Sequence, residues 1–266
     1  MPVKKGAGGN QQEYDSNTGR YSVDEGREFR TNTSYAEILR ETHIKLSMYN
    51  DKYSLSREQS RFLAKKKWDE NIYCGMRMEN RAVTFPQTMT ILNGVNVPSV
   101  RLDDIQAILN MRDAWHFLLD TIDRPLTLEY ICELHAFIAR NEAIDFGKLR
   151  TGSVGISGTD YRPPVPDHDT VKKELGEILS QDTTATEKAL DLFLWCARGQ
   201  FFWDGNKRTA MTVANKILIS CGAGMLTISE NSIECFNTLL CNYYTTGNGE
   251  ELKDFLYKNA IHGIEF

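Results

Sequence analysis

Gln200-Phe201-Phe202-Trp203-Asp204-Gly205-Asn206-Lys207-Arg208-Thr209 is a polar, glycine-bearing turn between two apolar runs. Upstream, Leu190, Leu192, Phe193, Leu194 and Cys196 predict an almost wholly buried helix over about 186–200. Downstream, a second helix is predicted over 209–219, stopped near Gly222. A helix-loop-helix is commonplace; the crowding of a carboxylate, a glycine, an amide and two cations into residues 204–208 is not. Free amides at a helix start, with the helix dipole behind them, form an anion site, and Gly205 lets backbone approach a phosphate closely. Lys207 and Arg208 add positive charge, whereas Asp204 would repel a bare phosphate. Its carboxylate makes sense as an oxygen ligand of a magnesium ion bridging a polyphosphate. The ligand expected is therefore a magnesium-bound nucleotide. The competing reading is a capped loop, in which Asp204 caps the helix while Asn206 and Arg208 satisfy backbone carbonyls.

Outward from this loop the chain reads as mainly helical. Residues 1–20, rich in Gly, Gln, Asn and charge, read as a flexible arm because they offer too little apolar surface to offset ordering entropy. Helices are predicted over Ser34–Met48 and Arg57–Met78, and Pro86 marks a break that can itself start the next helix. Arg101–Leu119 carries a broad apolar face, and Thr127 is placed to cap a helix containing Leu134 and His135. The segment Gly147–Pro164, with Val154 and Ile156 between the turn-forming pairs Gly152-Ser153 and Ser157-Gly158, predicts a short β-hairpin. Further helices are expected over Thr170–Leu179, Ser232–Tyr244 and Glu250–His262.

The bulk numbers exclude several function classes. A net charge of -5 argues against nucleic-acid binding, and Lys65-Lys66-Lys67 reads as a solvated helix face. No run approaches a membrane span, and Met1–Gly6 is not followed by an apolar signal region. The six cysteines include no Cys-x-x-Cys pair and fall mostly in apolar periodic segments, so a reduced, zinc-free, cytoplasmic protein is expected.

The loop resembles the Fic family signature, His-x-Phe-x-[Asp/Glu]-Gly-Asn-[Gly/Lys]-Arg-x-x-Arg. Of its eight specified places six are met, by Phe202, Asp204, Gly205, Asn206, Lys207 and Arg208. The resemblance implies a Fic-type helical bundle with a β-hairpin flap, and it divides the chain into an arm (1–20), an N-terminal helical extension (21–63) and the Fic-type domain (64–266). It also implies transfer of the AMP part of ATP to a protein hydroxyl or, in a related branch, of phosphate. Magnesium would sit on Asp204, with phosphates on Asn206 and the backbone of Gly205–Arg208. Lys207 and Arg208 would complete the nucleotide site, and Phe202 would anchor its loop in the core. The flap residues Thr151, Gly152, Ser153, Val154, Gly155 and Ile156 would align a target segment by backbone pairing. Glu79-Asn80 is similar to the core of the family's inhibitory segment, with Gly75 in place of its Ser or Thr.

Two departures matter. Gln200 stands where the signature has its catalytic histidine, and a neutral amide can orient a hydroxyl but cannot take its proton. Met211 replaces the final arginine, which the resemblance makes a phosphate ligand and the partner of the inhibitory glutamate, leaving Glu79 to pair with Arg208 or face solvent. His135 reads as a satisfied core residue and His168, after the flap, as the better substitute base. The leading expectation is an ATP-binding Fic fold with weak or absent adenylyltransferase activity. The alternatives are an active adenylyltransferase or phosphotransferase using another base, and a non-catalytic interaction module. Expected partners are ATP or a related nucleotide, a target protein and a second copy of the chain in a homodimer. An antitoxin is in keeping with a toxin-antitoxin-like family.

Overall fold

The computed structural model describes Tyr14–Asp15, Arg20–Tyr21 and residues 48–264. Two compact units divide the chain, at 1–45 and 46–266. In the first, β1 (Tyr14–Asp15) pairs antiparallel with β2 (Arg20–Tyr21), Tyr14 opposite Tyr21. The rest of the predicted arm, and the helix predicted over Ser34–Met48 except Met48 itself, lie outside the described residues. In the second unit Tyr49 and Leu63 belong to the core, so the unit that carries the loop begins ahead of position 64.

Nine helices are described: α1 (Arg57–Met78), α2 (Phe85–Leu92), α3 (Leu102–Asp120), α4 (Leu128–Ile138), α5 (His168–Ser180), α6 (Ala185–Gly199), α7 (Asn206–Cys221), α8 (Ile233–Thr246) and α9 (Glu250–Ala260). Their ends follow side-chain chemistry. Ser56 and Thr84 each form a full capping box, with Gln59 and Gln87 respectively, and Pro86 lies in the first turn of α2. Thr127 accepts from the Tyr130 amide at the start of α4, and Thr184 from that of Glu187 at the start of α6. Gly222 ends α7 at φ 73°, and a Cβ there would lie 2.1 Å from the Leu55 carbonyl oxygen, so only glycine fits.

α7 is the axis of the unit: Arg208 to Lys216 are all buried, against α6 on one side and α4 and α1 on others. Fully buried Trp115, Phe193 and Phe236 anchor the core, each contributing on the order of 2–3 kcal/mol by removing apolar surface from water. After α7 the chain makes β3 (Met225–Leu226), which pairs antiparallel with β4 (Ile261–His262) at the far end of the chain, Leu226 opposite Ile261. Asn215 of α7 holds this strand by giving and accepting hydrogen bonds with the Leu226 backbone.

One element differs from expectation. The segment 147–164 contains no strand, and the small sheets of the described residues lie elsewhere. Its extended stretch, rich in glycine and serine with its large apolar residues Leu149, Val154, Ile156 and Tyr161 scattered along it, is too short of cross-strand side-chain pairs to close a ladder on itself. It is held instead by contacts to the protein body.

Candidate functional site

The turn between α6 and α7 is shaped by the residues the signature specifies. Gln200 ends α6 in the left-handed region, φ 46°, its backbone amide hydrogen-bonded to the Cys196 carbonyl. Gly205 takes φ 72° at the start of α7, where its Cβ would sit 3.3 Å from the Ile138 side chain. Asn206 is buried, and its side chain closes the loop on one residue: Phe202 N donates to Oδ1 at 2.9 Å, and Nδ2 donates to Phe202 O at 2.8 Å. With its amide consumed in this way, Asn206 can offer a phosphate only its backbone. Phe202 is fully buried and stacks on His135, ring centroids 3.7 Å apart at 9°, so it anchors the loop.

His135 joins three segments. Gly147 N donates to its Nδ1 at 2.9 Å, which leaves the ring proton on Nε2 to donate to the Asp204 carbonyl at 2.9 Å. Burial pushes its pKa down to about 4, against a partly offsetting bond to Asp204. The ring is neutral near pH 7, buried and committed on both nitrogens: a core histidine, as its apolar helical setting predicted.

The start of α7 has no side-chain cap. Thr209 N reaches the Gly205 carbonyl at 2.9 Å, so the amides of Asn206, Lys207 and Arg208 form the open first turn. Asp204 is half-exposed; one of its oxygens accepts from Gly205 N at 2.6 Å and lies 3.9 Å from Arg208 Nη2. Arg208 does not present its guanidinium to solvent. It is buried, with Nη1 donating to Glu142 Oε1 at 2.9 Å and to the Ile138 carbonyl at 3.1 Å, while its Nε has no hydrogen-bond partner. Burial opposes its charge, but Glu79, Glu142 and Asp204 outweigh that and raise its pKa. Arg208, expected to add positive charge to the nucleotide site, is thus a buried cation whose side chain is taken up by Glu142 and the Ile138 carbonyl. Glu142 also holds Arg81 at 2.6 Å, and Arg81 reaches Asp104 at 3.0 Å, extending the ion network beneath the turn. Asp204 lines a polar cavity of about 420 Å³ together with Arg81, Asp104 and Glu142.

Neither partner expected for Glu79 is the one observed at bonding distance. Its carboxylate meets Lys207 Nζ at 3.0 Å, and the same ammonium donates to the Met78 carbonyl at 3.0 Å. Glu79 is the C-cap of α1, followed by Asn80 at φ 58°, and this bend turns the pair toward the loop. Met211 is buried in the core. Asn80 lines a second cavity, of about 670 Å³, with Arg77 and the α8 residues Asn237, Thr238, Cys241 and Asn242.

Gln200 points away from chemistry. Its Nε2 donates to the Ala197 carbonyl at 2.7 Å. The Tyr244 hydroxyl approaches this amide without hydrogen-bonding geometry, and burial pushes that phenol's pKa up, so it stays protonated and offers no phenolate. His168 is exposed at the start of α5, bonded to Asp169 and facing a different cavity, beside Glu129 and Phe146. None of the residues lining that cavity belongs to the turn between α6 and α7.

Sequence reading missed Arg150. Buried to 1% exposure, it donates to the carbonyls of Gln200 (Nε, 2.6 Å), Gly152 (Nη1, 2.5 Å), Pro163 (Nη2, 3.3 Å) and Pro164 (Nη2, 2.5 Å), and its own amide donates to Phe201 O at 2.9 Å. Trp203 completes the join: a Cβ on Gly152 would lie 2.6 Å from its ring, so the indole rests directly on the flap backbone. A lone arginine beside a glycine pair carries no periodicity, which is why only the folded chain reveals it. At the flap's far end Cys241 donates to the Gly158 carbonyl, and the hydroxyls of Thr159 and Thr245 meet at 3.0 Å, resting the tip on α8.

Residues 125–218 match the Fic/DOC family, spanning α4, the flap, α6 and most of α7. The chain carries a Fic/DOC-family domain. Solved structures agree in architecture with this Fic domain and its surroundings. Fic-1 (residues 134–508) from C. elegans superposes with a TM-score of 0.65 at 19% identity, over 84% of this chain and 66% of that one. A Fic family protein from Desulfovibrio desulfuricans gives 0.62 at 16% identity, over 74% and 62%. A Fic-domain-containing signaling protein from Bacteroides thetaiotaomicron gives 0.61 at 20% identity, over 76% and 86%. Likeness at such identities establishes the fold. The chain spans just under two thirds of the C. elegans and D. desulfuricans chains. No curated protein sequence matches it. Among the described residues no helix is long and apolar enough to cross a membrane.

Proposed function

We propose that the Fic domain binds ATP carrying magnesium across the start of α7, and that AMP transfer to a protein hydroxyl is weak or absent because position 200 offers no base. The observation that carries this reading is the uncapped first turn of α7, whose amides at Asn206, Lys207 and Arg208 have no side-chain acceptor, beside the buried charge of Arg208. Donors without acceptors behind a helix dipole are what a polyphosphate satisfies. The amides of Asn206, Lys207 and Arg208 take phosphate oxygens, while the Asn206 side chain keeps the turn in shape from within.

Magnesium fits this site only as part of the nucleotide. Among the described residues no group of three metal-ligating side chains exists, and Asp204 offers one half-exposed carboxylate. Magnesium commonly uses one or two carboxylates, with phosphate oxygens and water completing its octahedron. When bound it would neutralise charge on the phosphates. The nucleoside takes the cavity between Asn80 and α8, where Asn237 and Asn242 offer amides to a base or ribose. Glu79 competes for the same ground by engaging Lys207, consistent with the inhibitory role its segment resembles.

The unpaired flap suits capture of a protein segment, because the backbone at Val154 and Gly155 has no ladder partner of its own among the described residues. A target hydroxyl brought there finds no base at position 200, where a neutral amide is folded onto the Ala197 carbonyl, so a general-base contribution of about 100- to 10,000-fold is lost. Calorimetry with magnesium and ATP tests binding: saturable heat is expected, and its absence at millimolar ligand makes the domain an interaction module. With labelled ATP and candidate targets, Gln200→His should gain AMP transfer over the parent. Robust transfer by the unmodified protein that disappears in Asn206→Ala would instead make it an active transferase.

A further inference from the structure

The flap and the catalytic position could each have been anchored separately to the core; instead one buried side chain holds both. Arg150 donates to Gly152 at the start of the flap, to Pro163 and Pro164 at its end, and to the carbonyl of Gln200, whose left-handed backbone sets where side chain 200 emerges. Its amide on Phe201 O fixes the register between the two segments. We propose that Arg150 is a positioning residue that locks the flap and position 200 into one unit, so that a segment captured on the flap keeps a set distance from the group at 200.

The chemistry favours arginine for this task alone. Prolines at the flap exit donate no hydrogen bonds, but their carbonyls are unobstructed acceptors, and two of them converge on one Nη2. A planar guanidinium has five N–H donors in a rigid fork and can serve four carbonyls at fixed angles, whereas a lysine ammonium has three donors from one point. Among the described residues its hydrogen-bond partners are all neutral carbonyls, and burial holds its pKa below the ordinary guanidinium value. A buried cation with no paired carboxylate is an expensive way to stabilise a loop, and it is retained where geometry matters more than stability. The alignment role rests on the proposed transferase-type site; the locking role does not.

Hydrogen exchange on the full-length chain tests it, with Arg150→Ala and Arg150→Lys beside the parent. Exchange of the hydrogen-bonded flap amides, those of position 150, Thr159 and Tyr161, should rise about tenfold or more in both variants, since losing charge-assisted bonds lowers the local opening free energy. Exchange in α7 should stay as in the parent, the affinity for magnesium-ATP should hold within threefold, and millimolar ethylguanidinium should restore flap protection in Arg150→Ala. Arg150→Lys keeps the stem and charge, so it reports even where the alanine variant fails to fold. Unchanged flap exchange in a folded variant overturns the proposal. So does loss of protection spread evenly over α6 and α7, or no rescue by ethylguanidinium, because either marks a plain stability role. A parent that binds no magnesium-ATP defeats the nucleotide reading instead, and the exchange data still decide the lock.

Discussion

Two buried arginines border the same turn and solve the cost of burial differently. Arg208, beneath the start of α7, is neutralised by Glu142, which in turn holds Arg81. Arg150, at the base of the flap, is served by carbonyls alone. In the first region charge meets charge, through Glu142 and the two arginines it holds. In the second a cation spans a loop and a helix end through directional bonds, so geometry is fixed where no secondary structure exists to fix it. The Arg208 side is a foundation held by charge and the Arg150 side a joint fixed by directional bonds.

The largest effect is expected from Glu142→Ala. Removing the carboxylate leaves two arginines, one of them fully buried, without their main partner, and about 3–5 kcal/mol of stability should go. Urea unfolding at pH 7 measures it, and a loss near zero would erase the distinction between the two arginines.

His135 bridges the regions, since it bonds Gly147 on one side and Asp204 on the other. Its pKa is about 4 when folded against an ordinary 6.5, so the unfolded chain binds the proton first. Stability attributable to the neutral ring is complete above pH 6.5 and is lost progressively as pH falls toward 4, by about 3 kcal/mol in all. Unfolding free energies from pH 7.5 to 4.5 should show this fall in the parent and a flatter course in His135→Gln; identical slopes would remove His135 from the linkage.

Arg150→Lys should lower stability by about 2 kcal/mol, the scale of hydrogen bonds to a charged donor, and so less than Glu142→Ala. Equal losses in the two variants would mean that the flap joint is as much a foundation as the ion network. The smallest effect belongs to Glu79→Gln. Its pair with Lys207 is partly exposed, worth under about 1 kcal/mol, yet freeing the ammonium should tighten magnesium-ATP binding severalfold by calorimetry. Weaker binding would make Glu79 a support of the site and not a competitor for it.

The sequence by itself determined the helices, their caps and the turn. Apolar spacing of 3.6 and the preferences of Thr127, Thr84 and Gly222 are local physics, and the motif places Asp204, Gly205 and Asn206 within one bend. The chain also determined that no base stands at 200, since an amide has no useful basicity in any fold. Only the tertiary structure decided which groups meet. The hairpin expected at 147–164 is an unpaired loop because its contacts come from Arg150, Trp203 and α8, all distant in sequence or unpatterned. Glu79 found Lys207, and Arg208 was drawn inward by Glu142, because a charge in a low-dielectric interior takes the partner that the packing of other elements delivers, and no local pattern encodes that choice.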